Sequence, residues 1–426
     1  MKAFQTVLHH IEPEELTALA RDLVRIPSVY RPQHGGNEEG VALFVADKLR
    51  AMGLAVTVEY VAPGRPNVIA ILEGASPGKT LMFEAHTDVV TEGDPQAWTH
   101  PPFEGVLEAG RLYGRGACDT QGNLAAAILA LQAIKRSGHP FKGKILLGVP
   151  VDEEGMMSGI KHFIQRGWAD EVDAAIICEP EENQVCISQK GALRVSVEVQ
   201  GVMSHGAMPL SGFNPVPPLA KIVQALRALE RQEIERLGQH PYLGFPSLTP
   251  TVVQAPAAGE AQLNVVPARC RLLLDVRTVP GQDHEALKGQ IEQAVAEVER
   301  DTQASLRGGE EHALREALQP GLAEGLSFSA HVEVFEDRPW TQTPRDEAIV
   351  AAVDRAMRAL GDDEPLYNGV PGATDGTFLF AEKGIPIVTT GAGQRMVPHH
   401  KDEWVDLDEL YKTSQIYALS ALEFLK

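Results

Sequence analysis

Histidines and acidic residues recur in this chain at the ends of apolar runs. They are His86 and Asp88 in LMFEAHTDVV, Asp119 in LYGRGACDTQG, Glu153 and Glu154 in ILLGVPVDEEG, Glu179 in AAIICEP, and His399 with His400 in VPHHKDEW. Imidazole and carboxylate are the ligands that hydrolytic zinc sites use. Two histidines and three carboxylates, one of them bridging, satisfy a pair of tetrahedral zinc ions and leave a position for water. His399 and His400 compete for one ligand position, and the spacing to Glu403 favours His399. Two adjacent glutamates at a strand end point in different directions, so one of Glu153 and Glu154 can bind metal while the other takes a proton from the attacking water. Asp88, two residues past His86 on an extended segment, can point the same way and accept the imidazole's other N–H.

The elements that must position these groups follow from periodicity. Over roughly residues 1 to 190, Leu16, Leu19, Leu23 and Ile26 form one helical stripe; Val41, Phe44, Val45, Leu49 and Met52 form another, with Asn37 as its cap and Gly53 past its end. LAVTVEY alternates like a half-buried strand, whereas NVIAIL, TLMFEA, KILLGVPV and AAIIC are continuous apolar runs, as expected for strands covered on both faces. With the apolar helix NLAAAILALQAI between them, these runs predict a three-layer α/β domain around a mainly parallel sheet. His86, Glu153, Glu154 and Glu179 then emerge at the carboxyl ends of strands, the edge where open α/β sheets bind ligands. Asp119 lies in a glycine-rich turn just before the apolar helix.

After about Lys190 the pattern changes. GALRVSVEVQG alternates, KIVQALRALERQ is helical, ARCRLLLDVRTVP is strand-like, a second helix spans roughly 283 to 300, a polar stretch covers Arg307 to His312, and AHVEVFEDR alternates again. This is an antiparallel α+β unit over 191–338, inserted into a domain formed by 1–190 and 339–426. A length of 426 residues fits two domains. A formal charge of −20 argues against nucleic acid and anionic membrane as partners. The opening MKAFQTVLHHIEPEEL has no apolar signal core and no run is long enough to span a bilayer, so the expected location is the cytoplasm. Four cysteines without a C-x-x-C pair read as reduced thiols, with Cys118 and Cys178 as small buried residues.

In order along the chain, HTDVV, GRGACDTQG, VDEEG, CEP, GVMSHGAMP, the Asn264-to-Arg277 region, GATDGTFL and HHKDEW resemble the dinuclear-zinc metallopeptidase family of acetylornithine deacetylases, succinyl-diaminopimelate desuccinylases, aminoacylases and carboxypeptidase G. The resemblance covers nearly the whole length. It implies a catalytic domain interrupted by a lid domain that also dimerises, and two Zn²⁺ per chain, replaceable by Co²⁺ or Mn²⁺. By the same resemblance His86, Asp119 and Glu179 hold one zinc, and Asp119, Glu154 and His399 the other, with Asp119 as the bridge and Asp88 behind the ligands. Glu153 resembles the general base. His205 is implied to stabilise the oxyanion, entering the partner subunit's site in a homodimer. Arg277 and Asn264 resemble lid residues that bind the substrate's carboxylate, although Arg277 could instead pair with Asp275, and Gly372 and Thr374 resemble a substrate loop. A cis Asp119–Thr120 peptide is also implied.

The expected reaction is hydrolysis of an amide next to a carboxylate, in an N-acyl amino acid or a short peptide. A dipeptidase or aminopeptidase is the alternative, and a catalytically silent binding module the remote one. Thr120 and Gln121 depart from the methionine and lysine found after the bridging aspartate in many relatives, which leaves the ligand intact and bears on selectivity.

Overall fold

The computed structural model describes residues 2–318, 320, 321, 324 and 326–426. It divides into two compact units, Met1–Gln189 with Thr341–Lys426, and Lys190–Trp340.

The larger unit is built on a nine-stranded sheet. Its order is Ala55–Ala62, Arg65–Glu73, Lys142–Val149, Ser76–Glu84, Ala174–Ile177, Ile387–Thr389, Val185–Gln189 and Thr341–Gln342, and Tyr367–Val370 also pairs with Val185–Gln189. The four strands from Lys142–Val149 to Ile387–Thr389 run parallel, and the antiparallel pairs lie to either side of them. The continuous apolar runs belong to strands covered on both faces. Met82 joins Phe163, Ile160 and Leu379 in one buried cluster, while its neighbour Phe83 turns the other way and meets Tyr417 with ring centroids 5.4 Å apart. Successive residues of a strand point to opposite faces, so two helical layers enclose the sheet.

Helix Gln121–Ser137 lies among the helices Pro13–Val24 and Leu407–Phe424 and is buried nearly all round, because alanine at 125, 126, 127, 130 and 133 lets its neighbours approach closely. Gly138, at φ 63°, ends it in the left-handed conformation that suits glycine. Glu38, not the expected Asn37, stands at the N-cap of helix Glu39–Ala51; Asn37 lies one residue earlier and accepts the Glu39 N–H at 3.1 Å. The closing helix Leu407–Phe424, whose N-terminus is capped by Asp406 through Asp408 N–H and Glu409 N–H, was not apparent from periodicity because its buried face mixes Thr413, Ser414 and Ser420 with apolar residues.

The smaller unit holds a four-stranded antiparallel sheet in the order Ser247–Gln254, Arg269–Thr278, Gly191–Gln200, Ser329–Arg338. Cys270, Leu272, Leu274 and Val276 alternate inward and form a core with Ile222, Leu226, Leu287 and Ile291 of helices Val216–Leu237 and His284–Gly308. The second helix runs eight residues beyond the expected end at 300, since Thr302 and Leu306 continue its buried stripe. All four cysteines are free and buried. Among the described residues no helix is long and apolar enough to cross a membrane.

Candidate metal centre

Strands Ser76–Glu84, Lys142–Val149 and Ala174–Ile177 are parallel neighbours, so the segments that follow them open at one edge of the sheet. Those segments carry His86, the Glu153–Glu154 turn and Glu179. His399 comes from the connection after the parallel strand Ile387–Thr389, and Asp119 from the turn before helix Gln121–Ser137.

Two groups of ligand atoms result: His86, Asp119 and Glu179, and Asp119, Glu154 and His399, each with its atoms within 4.8 Å of one another. His86 Nε2 lies 3.1 Å from Asp119 Oδ1 and 3.5 Å from Glu179 Oε1. His399 Nε2 lies 2.8 Å from Glu154 Oε1 and 3.4 Å from Asp119 Oδ2. Asp119 thus turns one oxygen to each group. His400 has no place in either.

The electrostatics are those of a cation site. Burial first, and then repulsion from Asp119, raise Glu179 well above the usual carboxylate range and raise Glu154 as well. Burial works against ionised Asp119 too, but hydrogen bonds to His399 and His86 hold it below its ordinary value. Hydrogen bonds to Asp119 and Glu154 push His399 up to about 10. Glu179 Oε1 is buried and makes no hydrogen bond. Three converging carboxylates with two imidazoles, one oxygen unsatisfied, fit divalent metal ions.

Asp88 departs from expectation. The Nδ1 of His86 meets the backbone oxygen of Asp88 at 2.9 Å, whereas the nearer carboxylate oxygen stands at 3.5 Å. Both carboxylate oxygens are engaged elsewhere: Oδ1 accepts the Glu153 N–H at 3.1 Å and Oδ2 the Glu154 N–H at 3.0 Å. Asp88 therefore fixes the paired glutamates as well as the histidine. Asp152 closes the same turn, accepting Ser158 Oγ–H at 2.6 Å, and is braced by Arg65 at 2.8 Å.

The Asp119–Thr120 peptide is cis. Thr120 donates its hydroxyl to the Cys178 carbonyl at 2.6 Å and Gln121 its amide to the Thr87 carbonyl at 2.8 Å, so both residues tie the Asp119 turn to the His86 and Glu179 segments. Thr374 donates through N–H and hydroxyl to Gln189 Oε1, at 3.2 and 3.1 Å, and Gly372 has open space where a side chain would start.

In the smaller unit, the two-residue strand Ser204–His205 pairs with Val265–Val266, which brings His205 beside Asn264. His205 Nδ1 accepts the Ala207 N–H at 3.0 Å, and the Asn264 carbonyl accepts the Gly206 N–H at 2.7 Å. Arg277 is gripped by both oxygens of Asp275, at 2.8 and 3.2 Å, the pairing weighed above as its structural alternative.

Sequence reasoning missed three supporting charges and two buried acids, and used Glu403 only as a spacing marker for His399. Arg65 pairs with fully buried Glu38, and Arg115 with buried Glu403. Glu84 and Asp375 are fully buried and their oxygens make no hydrogen bond; burial pushes Glu84 up to about 7 and, with repulsion from Glu84, lifts Asp375 well above the carboxylate range. The one sequence signal was a charged residue inside or beside an apolar run, as with Glu84 in TLMFEA.

Peptidase family M20/M25/M40 matches the chain over residues 82–423. A succinyl-diaminopimelate desuccinylase of Methylobacterium sp. (strain 4-46) is 29% identical over 413 residues, covering 94% of this chain and 93% of its own. Among solved structures, aminopeptidase PepT from Bacillus cereus ATCC 10987 is similar with a TM-score of 0.74 at 18% identity, covering 98% of this chain and 100% of that one. An M20 family metallo-carboxypeptidase from Sulfolobus solfataricus is similar with a TM-score of 0.74 at 19% identity, covering 97% and 100%.

Proposed function

The chain belongs to peptidase family M20/M25/M40, and on that premise we propose that it is a dinuclear zinc hydrolase cleaving the amide of an N-acyl amino acid or short peptide next to a carboxylate. The observation that carries this reading is Asp119, whose two oxygens face separate histidines at 3.1 and 3.4 Å, as a carboxylate shared by two cations must. His86, Asp119 and Glu179 would hold one ion, and Asp119, Glu154 and His399 the other. Zinc suits this nitrogen and oxygen donor set, and Co²⁺ or Mn²⁺ can replace it. When bound, the metals supply Lewis acidity, which polarises the amide carbonyl and makes water more acidic.

The protein's own groups then divide the work. Glu153 takes a proton from the attacking water and returns it to the leaving nitrogen, so the carboxylate is regenerated as the C–N bond breaks. Asp88 keeps Glu153 and Glu154 in register through their backbone N–H groups. His205 is the proposed donor to the oxyanion. Asn264 and Arg277 are proposed for the substrate's carboxylate, with Gly372 and Thr374 on the substrate loop. The enzyme is taken to work in the cytoplasm as a homodimer joined through the smaller unit.

A substrate panel tests the reaction class. The Methylobacterium relative's name makes an N-succinyl amino acid the first compound to try, beside N-acetyl amino acids and free dipeptides. Release of amine from acylated amino acids after zinc loading is expected. Cleavage of dipeptides alone would replace the deacylase reading with a dipeptidase, and no release from any compound at full metal occupancy would sink both.

A further inference from the structure

His86 and His399 are placed by different means. The His86 ring is fully buried and its Nδ1 is fixed by the Asp88 backbone oxygen at 2.9 Å. The His399 side chain is 50% exposed and its backbone is left-handed at φ 67°. Its aim at Glu154 and Asp119 therefore leans on what holds its backbone.

A buried ion pair does so. Arg115 donates to the carbonyl oxygens of His399 and His400, each at 3.3 Å, and to that of Thr91 at 3.2 Å. It also pairs with Glu403, and the two side chains are 3% and 1% exposed. The other oxygen of Glu403 accepts three backbone N–H groups, from Gly116, Cys118 and Asp119, each at 3.0 Å. One carboxylate thus gathers the turn that ends in the bridging ligand, and its guanidinium partner gathers the segment that carries His399. Asp402 anchors that segment further by accepting the Thr99 and His100 N–H groups at 2.6 and 3.0 Å.

We propose that Arg115 and Glu403 form a positioning pair that locks the His399 segment to the Asp119 turn and so sets the affinity of the ligand group Asp119–Glu154–His399. The inference rests on the dinuclear reading above. Of the segments that carry a histidine ligand, Arg115 holds only that of His399, and Asp119, whose N–H Glu403 accepts, is shared by both groups, so loss of the guanidinium should weaken the second group more than the first. Lysine in place of Arg115 keeps the charge toward Glu403 but is a point donor, unable to span three carbonyls in one plane.

The test is zinc titration of the whole protein against a chromogenic chelator, with the melting temperature of the metal-free form measured in parallel. Wild type is expected to bind two equivalents. Arg115→Met, and the charge-neutral double variant Arg115→Met/Glu403→Gln, should keep the first and bind the second about 10- to 100-fold more weakly, the usual cost of losing a group behind a metal ligand. Arg115→Lys should fall between. Wild type that takes up no second equivalent would remove the dinuclear reading itself. Two tight equivalents in wild type and in both methionine variants would overturn the positioning role alone. So would equal weakening of both equivalents, or loss of metal matched by a collapse of the metal-free melting temperature in the double variant, since the pair would then serve the fold and not the second site.

Discussion

Glu153 and Glu154 share one turn, and substitution can separate their duties. If Glu153 carries the proton as proposed, Glu153→Gln removes that carrier and no ligand, so metal content should stay at two equivalents while kcat falls by about 10²- to 10⁴-fold. His399→Ala removes a ligand and should cost one equivalent. Elemental analysis beside kcat decides the matter: an active, fully loaded Glu153→Gln enzyme would mean that another group carries the proton. Arg277 poses a finer question, because its guanidinium is already gripped by Asp275. If its remaining N–H donors bind the substrate's carboxylate, Arg277→Lys should raise KM with little change in kcat, since a bidentate fork becomes a point charge. An unchanged KM would leave Arg277 as a partner of Asp275 within strand Arg269–Thr278.

At the scale of the element, the turn bearing the two glutamates depends on a charge at the start of strand Arg65–Glu73. Arg65 donates to both oxygens of Glu38, stacks on Tyr30 at 3.7 Å and braces Asp152 at 2.8 Å. Glu38 is fully buried, so Arg65→Met leaves an uncompensated interior carboxylate and should destabilise the fold by about 3–5 kcal/mol. Denaturant unfolding checks this, and adding Glu38→Gln should recover part of the loss. A cost below about 1 kcal/mol would show the pair to be dispensable. In the smaller unit, strand Ser329–Arg338 is tied to helix His284–Gly308 through Asp337, which meets His284 Nδ1 and Lys288 Nζ, each at 2.6 Å. Burial opposes its ionisation, but these two partners hold it below the usual aspartate value. A depressed folded pKa contributes stability above the unfolded value of about 3.9 and loses it as pH falls through the folded one. Asp337→Asn should therefore cost about 1 kcal/mol or less at pH 7, discounted for partial exposure, and progressively less as pH falls through the folded value. A difference that does not shrink on acidification would point to packing instead of charge.

The whole molecule raises the question of how many chains make one site. His205 belongs to a unit whose sequence supplies none of the metal ligands, and family resemblance has it act on a partner subunit. Mixing inactive His205→Ala chains with inactive Glu153→Gln chains should then restore part of the activity, because one hybrid site receives both wild-type groups. Proven subunit exchange without recovery, or an active monomer, would place His205 in its own chain's site or outside the reaction.

The sequence by itself determined the candidate ligands and the strand-end placement of most of them. Apolar runs specify buried strands, and residues just past a strand's end are bound to appear at the sheet's edge. His86, Glu153, Glu154 and Glu179 could be read that way because each sits close to the strand that positions it. The alternation of the smaller unit was legible for the same reason, since a period of two is local. Only the tertiary structure decided what holds those ligands in place. Arg115 and Glu403 are 288 residues apart, and nothing near either names the other. The choice of Asp88's backbone oxygen over its carboxylate as the partner of His86 also depended on two distant N–H groups, those of Glu153 and Glu154, which had already claimed the carboxylate. Periodicity records the surroundings of a residue within a few neighbours. Competition among donors for one acceptor exists only once the chain has folded and brought them within about 3 Å of each other.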